Sequence, residues 1–286
     1  MSKLFDEKRE VLDRVFSTAP VEDETMFVGR EEEVERCTQL LGQRGAHGVL
    51  FGERGVGKSS IANIVRVKLG DESCAKCSCL GTDDNERLWR RVFSEVRLRD
   101  VIEESDDEPH PPTLLPLSVI LEEIDYSPNS VMDGLAQISP QKVLIILDEF
   151  DSLGKKFIRS DFVDILKYVS DELDGVNFLL VGVGNSIEEL VRENASIDRN
   201  LRPIKVPQME DREIAQIIHN GLNELGMTVQ RSVAEGLVKL SKALPQNTHL
   251  ICHEGCALAL GASRTELAQS DIDGAVKRLE QWGKLI

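Results

Sequence analysis

Short runs of consecutive apolar residues alternate with helix-patterned stretches through most of this chain, and then the runs stop. The runs are HGVLFG (47–52), CAKCSCL (74–80), VLIIL (143–147), NFLLVGVG (177–184) and the weaker PIKVP (203–207). Each predicts a strand. The third and fourth are nearly continuous in Val, Ile and Leu, as in strands covered on both faces. Strands alternating with helical patterns predict an α/β fold, a parallel five-stranded sheet sandwiched by helices, over residues 26–207.

Residues 208–286 hold no such run. Their apolar positions recur at helical spacing: Ile214, Ile217 and Ile218, then Val233, Leu237 and Leu240, then Leu250, Cys256 and Leu260, then Ile272, Val276 and Leu279. This predicts a small all-helical lid domain. Ahead of the sheet, residues 1–25 read as an N-terminal helical arm, apolar at Leu4, Val11, Leu12 and Val15, followed by the acidic connector APVEDET. The arm is expected to pack on the main domain. The acidic, proline-rich stretch EESDDEPHPPT (103–113) reads as a loop. No internal repeat is evident.

The composition suits a globular chain of one α/β domain and a small helical one: 286 residues, 41% hydrophobic and 29% charged. With aromatics at only 5%, Leu, Ile and Val are expected to build the core. No stretch approaches the length of a membrane span, and the N-terminus lacks the apolar segment of a secretory signal, so no membrane contact and a cytoplasmic location are expected. The net charge of −16 argues against direct binding to nucleic acid over a broad surface. The one dense basic cluster, Arg87, Arg90, Arg91, Arg97 and Arg99, reads as a solvated helix face or a local patch.

The strongest chemical signal is GERGVGKSS: Gly52, Glu53, Arg54, Gly55, Val56, Gly57, Lys58, Ser59 and Ser60. It follows a strand and opens a helical run, the context a phosphate-binding loop requires. Glycines let the backbone turn so that successive N–H groups face an anion, and the following helix adds its positive end. Lys58 supplies a point charge for the terminal phosphates, and Ser59 offers a hydroxyl to Mg²⁺. The expected cofactors are therefore ATP and Mg²⁺.

A second signal is independent of the first. VLIILDEFD (143–151) is a buried strand ending in Asp148 and Glu149. Carboxylates at the C-terminal edge of a strand neighbouring the phosphate loop sit where open α/β sheets bind ligands. Asp148 is expected to hold the metal opposite Ser59, and Glu149 to orient and deprotonate an attacking water.

With FVGREEEVE (27–35) ahead of the loop and a helical tail behind, the chain resembles an AAA+ ATPase, most of all the origin-initiator branch and small bacterial ATPases similar to it. The resemblance covers roughly 26–286. It implies that Val28 and Gly29 wrap the adenine and that Asn185 stands near the γ-phosphate. Asn185 or Ser186 would equally cap the helix that follows. It implies that NASIDRNLRPIKVP (194–207) carries an arginine finger reaching a neighbouring subunit, Arg199 first and Arg202 second. A helix C-terminus favouring cations is the competing explanation of those arginines. Where the family places a sensor-2 arginine, this chain has Gln246 or Asn247, neutral amides, which leaves His249 as an alternative carrier of that coupling.

The stripe His249, Cys252, His253 and Cys256 has the spacing of one helix face, and Cys74, Cys77 and Cys79 fall in a strand. Core positions explain both sets better than metal ligands do. The expected activity is ATP hydrolysis to ADP and phosphate, driving or timing a conformational change in a macromolecular partner or nucleoprotein assembly. Turnover is expected to be weak without the partner. Self-association on ATP binding and a protein partner are expected, with DNA reached through that partner or the local basic patch. An ATP-gated scaffold with negligible turnover and a transposition regulator of the TniB and TnsC kind are the alternatives. A small-molecule kinase lacks an acceptor site in this sequence, and a GTPase lacks N-K-x-D.

Overall fold

The structure of the protein is a computed structural model that describes residues 3–99, 113–121, 123–183 and 198–285. Asn185, the helix expected after it, and the acidic stretch 103–113 up to Thr113 lie outside the described residues. The elements in chain order are α1 (Lys3–Val15), α2 (Glu31–Thr38), β1 (His47–Gly52), α3 (Lys58–Leu69), β2 (Cys74–Ser78), α4 (Asn85–Glu95), β3 (Arg97–Arg99) and β4 (Leu114–Pro116). There follow α5 (Leu117–Ile120), α6 (Pro128–Ala136), β5 (Val143–Asp148), α7 (Arg159–Glu172), β6 (Val176–Val183) and β7 (Leu201–Lys205). The last are α8 (Asp211–Glu224), β8 (Thr228–Val229), α9 (Arg231–Leu240), α10 (Pro245–Gly261), β9 (Glu266–Leu267) and α11 (Gln269–Gln281). Two compact units result. A sheet unit takes Glu31–Gly52 and Ile61–Lys205, and a helical unit takes Met1–Arg30, Glu53–Ser60 and Val206–Ile286.

The five apolar runs form the five strands of one parallel sheet, in the order β2-β5-β6-β1-β7. One expectation needs correction. The strand ending in Asp148 is not a neighbour of β1, because β6 lies between them, pairing Leu180 with Val49 and with Leu147. Strand order in a parallel sheet depends on which crossovers pack, a non-local property that apolar runs do not encode.

The core also departs from the composition. Leu, Ile and Val fill most of it, yet its centre is aromatic: Trp89 lies 6.0 Å from Phe93 and Phe162 and 6.1 Å from Phe178, ring centre to ring centre. A few rings bury far more area apiece than aliphatic side chains, so a low aromatic percentage still suffices for a cluster. Helix α4 delivers two of them. Its cap is the Asp84 carboxylate, which accepts from the Arg87 N–H at 2.9 Å, and Leu88, Trp89, Val92 and Phe93 share its buried face.

In the helical unit, α8, α9, α10 and α11 enclose a second core that includes Ile214, Ile251, Cys252, Cys256 and Ile272. Helix α1 packs here, with Leu12, Val15 and Phe16 in this cluster. Amphipathic spacing says that a face is buried but not against what. The unit also holds a two-residue parallel pairing of β8 with β9, too short to leave an apolar run.

Candidate functional site

The phosphate loop leaves the C-terminal end of β1 and runs into the first turn of α3. Gly55 and Gly57 take φ of 83° and 98°, a backbone region that side-chain-bearing residues rarely adopt. Glycines in this conformation let successive N–H groups turn toward an anion. The Lys58 ammonium crosses the loop and donates to the Glu53 carbonyl at 2.7 Å. Val56 is buried in the loop, whereas Glu53 and Arg54 face outward. Ser60 Oγ accepts from the Val21 N–H at 3.1 Å, so this hydroxyl ties down the connector rather than standing open beside Ser59.

The helical unit holds this loop from two further directions. Gln246, in the first turn of α10, donates its N–H to the Gly55 carbonyl at 3.3 Å. Gln208 Nε2 donates to Glu53 Oε2 at 2.9 Å. Gln246 therefore meets the loop through its backbone, and Asn247 is fully buried, its amide donating to the Ser241 carbonyl at 3.4 Å. His249 stacks edge-on to Phe16, ring centres 6.0 Å apart, and burial pulls its pKa down to about 4, so it is neutral at pH 7. A neutral ring packed on the arm does not replace a sensor arginine's charge.

Of the expected adenine segment, Val28 is buried and Gly29 has φ 66°. A β-carbon on Gly29 would run into the Glu213 carboxylate. That carboxylate is in place because it accepts from the Glu210 N–H at 2.7 Å, closing the start of α8.

In the sheet unit, Asp148 ends β5 and is 3% exposed. One carboxylate oxygen lies 3.0 Å from the Lys76 ammonium, and the other accepts from the Glu149 N–H at 3.0 Å. Lys76 also donates to Asn63 Oδ1 at 2.6 Å. Glu149 is exposed, with the left-handed backbone φ 56°, ψ 37° that a non-glycine residue adopts only at a cost of about 1–3 kcal/mol. At this turn Glu149 is exposed while Asp148 stays buried. Beyond it, Asp151 accepts from the Val183 N–H at 2.8 Å, fixing the end of β6 to the same turn.

Lys76 and Asn63 escaped the sequence reading, although a signal existed. Lysine in the middle of an apolar run requires a partner, and the strand order then determines which acid supplies it.

Arg199 precedes β7, whose Leu201 pairs with His47 at the start of β1. It is thus at the opposite end of the sheet from Gly52 and Asp148, about 17 Å away by strand rise. Its side chain is 75% exposed and 3.6 Å from Asp171. Arg202, in β7, donates to the carbonyl of Arg199 at 2.8 Å. The basic cluster is locally engaged: Arg90 reaches Glu86 at 2.8 Å and the Tyr126 ring, Arg91 pairs with Asp83, and Arg99 reaches Glu72 at 2.8 Å. The six cysteines are free and buried, and burial pushes Cys37, Cys74 and Cys256 up to about 12. Among the described residues no helix is long and apolar enough to cross a membrane.

Solved structures with this architecture include the Aeropyrum pernix ORC2 protein in ADPNP–ADP complexes, with a TM-score of 0.65 and 15% identity. That match covers 93% of this chain and 71% of the other. The Aeropyrum pernix ORC1 protein in complex with DNA matches with a TM-score of 0.62 and 15% identity, over 95% of this chain and 69% of the other. The Thermotoga maritima RuvB Holliday junction branch migration motor gives 0.56 and 14%, over 92% and 74%. No curated protein sequence matches the chain. At these identities the likeness is one of fold, an α/β P-loop NTPase architecture. The chain belongs to the novel STAND NTPase 1 family, which matches residues 16–253.

Proposed function

We propose that this protein binds ATP with Mg²⁺ and hydrolyses it, using the cycle to drive or time a conformational change in a macromolecular partner. The observation that carries the reading is the glycine-turned loop after β1, with the Lys58 ammonium drawn across it. In this reading the loop N–H groups of 52–60 and Lys58 hold the phosphates, Val28 and Gly29 flank the base, and Ser59 and Asp148 hold the metal. The metal supplies charge neutralisation on the phosphate oxygens. Glu149 orients the attacking water and takes its proton. Asn185 contacts the terminal phosphate, and Arg199 serves a neighbouring copy. Residues 26–207 form the ATPase domain, 208–286 the lid and 1–25 an arm.

Two features support a switch that works by assembly. Arg199 is too far from the Asp148 end of its own sheet to act there, which suits a role toward a neighbouring copy. The arginines of α4 are mostly paired with local acids, which favours a protein partner over direct DNA contact. Lys58→Ala tests the assignment. The variant should keep its fold and lose the thermal protection that ATP with Mg²⁺ gives the parent. Undiminished protection would remove the phosphate loop from the account.

A further inference from the structure

Asp148 does not stand as an open carboxylate. Both of its oxygens are engaged, one by the Glu149 N–H and one by Lys76, and the Lys76–Asp148 pair is nearly out of solvent, with side chains 13% and 5% exposed. Lys76 is held in turn by Asn63 Oδ1 at 2.6 Å. Asn63 lies on α3 four residues after Ser59, one turn along the same helix face. Strand register explains how the lysine arrives: Ser78 pairs with Asp148, so Lys76 points from the same sheet face and its stem runs along β2 to the strand end.

We propose that Lys76 is a positioning residue that holds the Asp148 carboxylate aimed, and that its charge competes with a divalent metal for that carboxylate. This rests on the reading that Asp148 holds the metal. A buried carboxylate must be compensated. Here a fixed ammonium does it at 3.0 Å, so the acid is ready in one orientation before a metal arrives. The same ammonium then opposes any second cation on that carboxylate, and in a poorly solvated place the opposition is weakly screened. The consequence is a raised metal requirement. Nucleotide without sufficient Mg²⁺ leaves the Lys76 pair intact, and only the metal-loaded nucleotide draws Asp148 away from it.

The test is metal binding, not turnover. With a non-hydrolysable ATP analogue present, Mn²⁺ affinity is measured by electron paramagnetic resonance, and the Mg²⁺ concentration giving half-maximal thermal protection is measured alongside. Lys76→Met keeps the stem and deletes the charge, and should lower both metal requirements about tenfold. Lys76→Arg keeps the charge and should stay near the parent. An unchanged or higher requirement in Lys76→Met overturns the proposal, as does an equal fall in Lys76→Arg, which would trace the effect to packing. Should Lys76→Met not fold, Lys76→Gln, still able to hydrogen-bond Asn63, is read by the same criterion. Asp148→Asn, with Lys76 intact, separates the two layers of the argument. It should weaken metal binding at least tenfold, and if it does not, the assignment of Asp148 to the metal fails, and the role of Lys76 with it.

Discussion

His47 opens β1 with its ring wholly out of solvent, and its hydrogen bonds fix which nitrogen carries the proton. Nδ1 accepts from the Phe178 N–H at 3.1 Å, so Nε2 must carry the hydrogen and face Ser170 Oγ at 2.9 Å. The Ser170 hydroxyl in turn donates to the Leu166 carbonyl at 2.8 Å. Burial lowers the His47 pKa from 6.5 to about 4. Below pH 6.5 the unfolded chain takes up a proton that the folded chain refuses. Stability is therefore full above that pH and falls as pH drops toward 4, by about 3 kcal/mol from this residue. Denaturation of the parent and of His47→Gln from pH 7 to pH 4 measures it. The parent should lose about 3 kcal/mol more than the variant across that window, and parallel pH curves would refute it. At this scale the motifs were the legible part. Gly52–Ser60 and Asp148–Glu149 announce themselves by residue type. The left-handed turn at Glu149 and the buried neutral state of His47 do not, because both depend on surroundings that a one-dimensional pattern omits.

At the scale of elements, α1 is held by a side chain that follows it. Phe16 is 1% exposed, and its ring lies where a β-carbon on Gly221 of α8 would have to be. Polar contacts flank this seat. Lys8 donates to the Leu225 carbonyl at the end of α8 at 2.7 Å, Asp13 meets His253 at 2.8 Å, and Arg14 meets Glu224 at 3.0 Å. The exposed pairs contribute little, so the ring carries the docking. Phe16→Ala should cost about 3–5 kcal/mol. Gly221→Ala should cost about 1–3 kcal/mol by overpacking. Because both changes act on one contact, the double variant should lose clearly less than the sum. Urea denaturation of the three proteins decides it, and strict additivity with a Phe16→Ala cost under about 1 kcal/mol would show that α1 is not seated this way. The five sheet strands were legible because apolar runs of five or more residues survive in the sequence. Their order was not, and neither were β3, β4, β8 and β9, at two or three residues each.

For the whole molecule, the sheet sets a direction. Gly52 and Asp148 end their strands at one edge, and Arg199 stands before β7 at the other. Its pairing with Asp171 at 3.6 Å is solvent-exposed and easily given up. In the proposed reading this cation serves a neighbouring subunit, where such a charge raises the hydrolysis rate by several powers of ten. Arg199→Ala and Lys58→Ala should each be nearly inactive alone, and a mixture should recover part of the parent rate. No recovery, with a parent rate per molecule independent of concentration, would point to a monomeric switch. The sequence disclosed the fold class through its run-and-helix rhythm, and its net charge of −16 gave no hint that most arginines of α4 are locally paired. The central claim, that this chain hydrolyses ATP through Glu149, is tested most directly by phosphate release from ATP with Mg²⁺, parent beside Glu149→Gln, with nucleotide binding measured on the same samples. The account predicts equal binding and a rate at least about a hundredfold lower in Glu149→Gln; equal rates would contradict it.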